Sequence, residues 1–304
     1  MKLDLILCIT YICKYKEGIF MRIIEQRLLT GERALFKSRD LKIINSTFKD
    51  GESPLKESKN INISNSVFGW KYPLWYCNNI SVDKSILLET ARSGIWYTDN
   101  ITIKNSTIDA PKIFRRCKDI TLVNVNLPNA METLWNCDKV VLNNVTAKGD
   151  YFAMNSSNIT IRDFNLSGNY AFDGAKNIEV HNARLTSKDA FWNCENVTVY
   201  NSTIVGEYLG WNSKNLLFID CYIQSEQALC YVENLEIRNS EVTNTDLAFE
   251  YSTVDAEITT IIDSIRNPIG GRIQAKYINK VIMDDKEINP ENTEIIIEVG
   301  CEKI

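Results

Sequence analysis

Asn196-Val197-Thr198-Val199-Tyr200-Asn201-Ser202-Thr203-Ile204 is two short extended runs hinged on an asparagine, and its recurrence decides the fold. The same phrase stands at Asn60-Ile61-Asn62-Ile63-Ser64-Asn65-Ser66-Val67-Phe68. Its first residue returns every 19 to 21 positions, at Asp40, Asn60, Asn79, Asn100, Asp119, Lys139, Asn158, Asn177, Asn196, Asn215 and Asn234. A period this short, held over eleven units, means a solenoid. In a solenoid each coil buries its apolar face only by stacking on its neighbours.

With that residue taken as position zero, +1 and +3 are Ile, Leu, Val or Phe in every coil, and +2 is mostly polar. This is the alternation of a strand whose β-branched side chains face in and out in turn. Position +5 is again Asn or Asp in most coils, as at Asn65, Asn144 and Asp220, and +8 is apolar, as at Phe68 and Ile204. Asparagine tolerates left-handed backbone and caps its own turn, and amides stacked at the strand spacing can bond coil to coil. Sequon-like triplets such as Asn105-Ser106-Thr107 are then corner chemistry. The third side, positions −8 to −2, is worded Pro73-Leu74-Trp75-Tyr76-Cys77 or Ala190-Phe191-Trp192-Asn193-Cys194.

The predicted fold is all-β: a single right-handed parallel β-helix with three short strands per coil and capped ends, roughly 50 Å long at about 4.8 Å per coil. Residues 21–254 form the coils and 255–304 irregular coils and a cap. The leucine-rich repeat is the architectural rival. It needs Leu where position −2 here is small, and Asn where +6 is often Ser or Val.

Charged residues at 24% and hydrophobic ones at 44% suit a protein with a real core. A net charge of −5, with no basic run, argues against nucleic acid. One histidine, His181, removes multi-histidine metal sites, and it reads as a surface residue. There is no C-x-x-C, phosphate loop, EF-hand or zinc pattern, so neither a metal nor a cofactor is expected. Cys77, Cys117, Cys137 and Cys194 share position −2 with Ser, Thr, Ala and Val, which makes it a small core slot in a reducing compartment, the cytoplasm. Residues 1–20 lie outside the repeat. Asp4 interrupts their apolar run, which is too short to span a bilayer. They read as a non-native extension before a start at Met21.

Several phrases are not dictated by the coil. They include Gly31-Glu32-Arg33-Ala34-Leu35-Phe36, Trp70-Lys71-Tyr72-Pro73-Leu74-Trp75-Tyr76-Cys77, Leu88-Glu89-Thr90-Ala91-Arg92-Ser93-Gly94-Ile95-Trp96-Tyr97 and Leu247-Ala248-Phe249-Glu250-Tyr251-Ser252. In these the chain, from Met21 onward, resembles a bacterial family known only as a domain of unknown function, number 3737, grouped with the pectin-lyase-like β-helices. The resemblance implies the fold and no reaction.

Chemistry concentrates in two columns of the third side. Position −4 holds Trp75, Trp96, Arg115, Trp135, Met154, Asp173, Trp192 and Trp211, and −3 holds Tyr76, Tyr97, Arg116, Asn136, Asn193 and Asn212. Read as outward-facing, they form an aromatic strip with hydrogen-bonding groups beside it, suited to an oligosaccharide or longer glycan. Asp173 and Asp189, one coil apart at roughly 10 Å, are the candidate acid–base carboxylates of a hydrolase. Arg115 and Arg116 are the candidate uronate-binding groups, or the base, of a lyase, three coils away. The favoured reading is recognition, extending to processing, of an extended carbohydrate, without nucleic acid or membrane as partner. The opposing reading is a non-enzymatic scaffold that binds protein or forms a homo-oligomer through the strip.

Overall fold

The computed structural model describes residues 21–298, so the reading of 1–20 as an extension falls outside it. The chain winds into a parallel β-solenoid of about 15 turns. Every pairing between strands is parallel, and equivalent positions stack in register. Ile101, Ile120, Val140, Ile159, Ile178 and Val197 form one such column at +1. These residues and their +3 partners are buried, and they fill one continuous core with stacked rings such as Phe48–Phe68 and Phe172–Phe191.

The asparagine corners behave as their chemistry dictates. Anchors and +5 residues sit in left-handed backbone, with φ of 58° at Asn196 and 44° at Asn201. Their amides bond coil to coil: Asn196 Nδ2 donates to Asn177 Oδ1 at 2.9 Å and Asn215 Nδ2 to Asn196 Oδ1 at 2.8 Å. The N–H that follows a left-handed corner at −3 or +5 finds a side-chain hydroxyl of the next coil instead of a backbone carbonyl. Serines and threonines at −2 and +6 satisfy it. Ser156 Oγ accepts from Cys137 N at 2.8 Å and donates to Leu134 O at 2.6 Å. The small slot at −2 is therefore set by hydrogen bonding as well as by volume. The cysteines there are buried, and desolvation pushes the Cys77 thiol up to about 12.

The third side is not the strand expected. It is a run of turns joined by isolated bridges, Trp96 to Arg115 and Arg115 to Trp135. The physical cause is backbone. Position −7 (Lys112, φ 58°), −5 (Phe114, 56°) and −3 (Arg116, 53°) are all left-handed, which no extended run tolerates. Coil-to-coil bonds such as Arg116 N to Trp135 O at 2.9 Å hold this strained path in place. The segment expected to be irregular from 255 onward instead holds the two longest strands, Thr253–Arg266 and Gly270–Ile282. Its irregularity lies in register, with a shift between Ile258 and Ile261, and Thr293–Ile297 continues the ladder.

Candidate functional site

Three columns of the third side, −7, −4 and −3, make one face. All five tryptophans of position −4 are half-buried, and each spends its indole N–H on a backbone carbonyl of the next coil. Trp75 donates to Ser93 O at 2.6 Å, Trp96 to Lys112 O at 2.9 Å and Trp135 to Tyr151 O at 2.7 Å. Trp192 donates to Tyr208 O at 2.6 Å and Trp211 to Gln227 O at 2.7 Å. The acceptor is always position −7, so a side chain at −4 reaches residue −7 one coil on.

The rings also stack on one another. Trp75 and Trp96 lie 5.1 Å apart and 8° from parallel. The Arg115 guanidinium follows, 4.8 Å from the Trp96 centroid and 4.6 Å from that of Trp135, and its Nη2 pairs with Glu132 at 3.1 Å. Arg115 is thus a rung of the ladder, neither a free base nor a uronate clamp. Arg116 lies over Tyr97 at 6.0 Å, and Tyr97 stacks on Tyr76 at 4.8 Å. Over this stretch ring faces meet protein, and a sugar would find only their edges. Most of the strip is structural.

Column −4 loses its rings at two rungs, where Tyr151 and Tyr170 at −7 carry the aromatic contact across, stacked 4.8 Å apart and edge-on to Trp135 and Trp192. Met154 and Asp173 stand where rings stand elsewhere, and the upper stack begins again with Trp192 and Trp211, 6.0 Å apart. Beside Asp173, column −3 is also reduced, to Gly174. Its φ is 69°, and an added Cβ would meet Asn155 Oδ1 at 2.2 Å. With Asn155 packed against Gly174, the rung is bounded by Trp192, by Tyr170 set edge-on to it at 6.3 Å, and by Asn193, whose Nδ2 donates to Asp173 Oδ1 at 2.7 Å. Asn212 Nδ2 donates in turn to Asn193 Oδ1 at 2.8 Å, and Asn136 is exposed on the coil of Trp135.

Asp189 sits at −7 of the coil above Asp173, where Glu132 stands relative to Arg115. It is 2% exposed and its Oδ2 has no hydrogen-bond partner. Burial pushes its carboxyl above the ordinary carboxylate range. Lys188 pulls the other way, while Glu207 and Asp173 add to the rise. The Lys188 ammonium is itself engaged with Glu207 at 3.3 Å. The Asp173 charge is felt at Asp189, and the two arginines belong to a separate, stacked part of the ladder. His181, stacked on Tyr200 at 4.6 Å and bonded to Glu179 at 2.6 Å, lies outside this face.

A pronounced concavity lies elsewhere. A groove of about 840 Å³ runs past Asn215, Leu217, Asn234, Glu236, Arg238 and Asp255. Its one arginine is neutralised, with Arg238 3.0 Å from Glu236 and 2.6 Å from Asp255. It holds none of the unpartnered buried polar atoms found among the described residues, whereas the Asp173 rung is bordered by one. Chemistry outranks volume here, and the rung is the stronger candidate.

In-register parallel coils with asparagine corners and a single stacked core define a β-helix protein. The chain belongs to the family described as a protein of unknown function, DUF3737, whose model matches residues 22–296. No curated protein matches its sequence. Among solved structures it is similar to PfbA, a surface adhesin of Streptococcus pneumoniae, at 9% identity and a TM-score of 0.37, covering 88% of this chain and 80% of that one. It is similar to the A-module of the Azotobacter vinelandii mannuronan C-5 epimerase AlgE4 at 12% identity and a TM-score of 0.31, covering 90% and 87%. A hyperthermoactive exopolygalacturonase from Thermotoga maritima matches at 10% identity and a TM-score of 0.30, covering 95% and 74%.

Proposed function

We propose that this chain binds a carbohydrate, and that the ligand is a short oligosaccharide seated at the Asp173 rung. The observation that carries this reading is the carboxylate that takes the ring's place in column −4 at Asp173. Elsewhere the indoles are covered by one another and their N–H groups are spent. At the Asp173 rung an aromatic wall of Trp192 and Tyr170 meets Asp173, whose Oδ1 is held by Asn193, and Asp189, whose Oδ2 has no partner. Carbohydrate sites combine an aromatic platform with a few placed hydrogen-bonding groups. The stacking narrows the sequence-based expectation from a polymer lying along the whole strip to a site about two coils tall. The sites of the carbohydrate-active neighbours lend nothing to this reading, which rests on the rung alone.

The test is tryptophan fluorescence during titration with short oligosaccharides, repeated on Trp192→Phe and Trp75→Phe. Saturable change that survives Trp75→Phe and is lost in Trp192→Phe supports the reading. Equal loss in both, or a response tracking self-association by light scattering, would favour the scaffold instead.

A further inference from the structure

The ladder contains its own template for what the Asp173 rung should hold. In the lower stack a planar cation, Arg115, lies against Trp135 and pairs with a carboxylate at −7 of the next coil, Glu132, at 3.1 Å. One octave higher the same three positions are Asp173, Trp192 and Asp189. The ring and the carboxylate are retained, and the cation is replaced by a second carboxylate. Neither Asp173 nor Asp189 forms an ion pair among the described residues, and Asp189 Oδ2 is buried without a partner. Leaving such a group unsatisfied is costly, and a cation that arrives from outside would satisfy it.

We infer that the Asp173 rung takes the protonated amine of an amino sugar. The inference rests on the carbohydrate reading and names the substrate class for it. The ammonium would lie between the Asp173 and Asp189 carboxylates, against the aromatic wall of Trp192 and Tyr170. The pyranose would extend past Asn193 and Asn212, whose amides form the adjoining column. Cation recognition by an aromatic face backed by carboxylate is the chemistry Arg115 already displays. Two carboxylates suffice for an ammonium. They fall short of a metal site, and no group of three or more His, Cys, Asp or Glu side chains placed to hold an ion occurs among the described residues.

Charge control follows from the groups that face the site. These are Asp173, Lys188 and Glu207 around Asp189, with Lys188 held by Glu207. Because burial raises the Asp189 carboxyl, acid protonates it before ordinary carboxylates, and amine binding weakens as pH falls through that range.

The experiment is calorimetric titration of the full chain at neutral pH and low salt with three tetrasaccharides: fully de-N-acetylated β-1,4-glucosamine, its N-acetylated form, and the corresponding glucose oligomer. Arginine methyl ester is the fourth probe. The expected result is that the free-amine tetrasaccharide binds at least tenfold more tightly than either neutral one. The preference should vanish in Asp173→Asn and Asp189→Asn, isosteric changes whose folding is checked by circular dichroism. Free-amine and neutral sugars binding alike would overturn the amine inference and leave the carbohydrate reading standing. No sugar binding at all would overturn both. Arginine methyl ester binding where no sugar does would also overturn both, and would assign the rung to a cationic peptide side chain.

Discussion

Replacing Arg115 with methionine should destabilise the protein by about 2 kcal/mol, and the figure can be built from its surroundings. The guanidinium lies 4.8 and 4.6 Å from two indole centroids. Each contact at a largely covered site is worth about 1 kcal/mol. The pair with Glu132 at 3.1 Å is about one-quarter exposed on both sides, so it adds at most about 1 kcal/mol. Against these stands Arg115 Nε, buried with no partner, whose removal returns about 1 kcal/mol. Methionine keeps the aliphatic stem, so packing changes little. Lysine restores the charge without the plane and should recover about half of the loss. Urea unfolding followed by circular dichroism gives the midpoints, and a cycle with Glu132→Gln isolates the ion pair. Glu132 keeps Lys112 at 3.1 Å in the Arg115 variant, so the coupling should stay near 0.5–1 kcal/mol. An Arg115→Met protein within about 0.5 kcal/mol of the parent would refute the view of Arg115 as a structural rung.

Three further outcomes follow. Asp173→Trp should complete the ladder, with its indole N–H meeting the Asp189 carbonyl as its counterparts meet theirs. The gain should be about 1 kcal/mol by thermal melting, together with loss of oligosaccharide binding. Asp189→Asn should be more stable than the parent at neutral pH, because a carboxyl whose folded pKa is raised loses stability as it ionises. The advantage should fade as pH falls toward the ordinary aspartate value of 3.8, measured by urea midpoints across that range. Asn196→Ala removes amide bonds to Asn177 and Asn215 and places a Cβ at φ 58° without an amide to hold it there. It should cost about 2–3 kcal/mol, and Asn196→Gly should recover about 1 kcal/mol of that in the same melts.

The fold was legible because its determinants are local and periodic. The Ile/Val alternation after each anchor and the asparagines at 0 and +5 can each be read from a single coil, and stacking repeats them. The third side was misread as a strand because left-handed backbone at Phe114, Leu134 and Ala153 has no compositional signature. Those residues adopt it under constraint from neighbouring coils. The candidate site was half legible. The column of tryptophans and the presence of Asp173 within it are plain in the sequence. That the indoles would cover one another, and that each N–H would be consumed by the coil above, depends on side-chain direction at a bend, which strand alternation does not describe. The pairing of Asp173 with Asp189 is already readable from their phase one coil apart; that −4 touches −7 of the next coil, as Arg115 touches Glu132, is what the structure adds. The groove at Arg238 had no sequence signal at all.

The central claim is that, of the two rungs where column −4 carries no ring, Met154 and Asp173, the Asp173 rung is the ligand site. A crystal structure of the protein soaked with de-N-acetylated glucosamine tetrasaccharide tests it most directly. The account predicts density with an amine between Asp173 and Asp189 and a sugar ring extending past Asn193. Density along the Trp75–Trp96 stack, or in the groove beside Arg238 with the Asp173 rung empty, would contradict it.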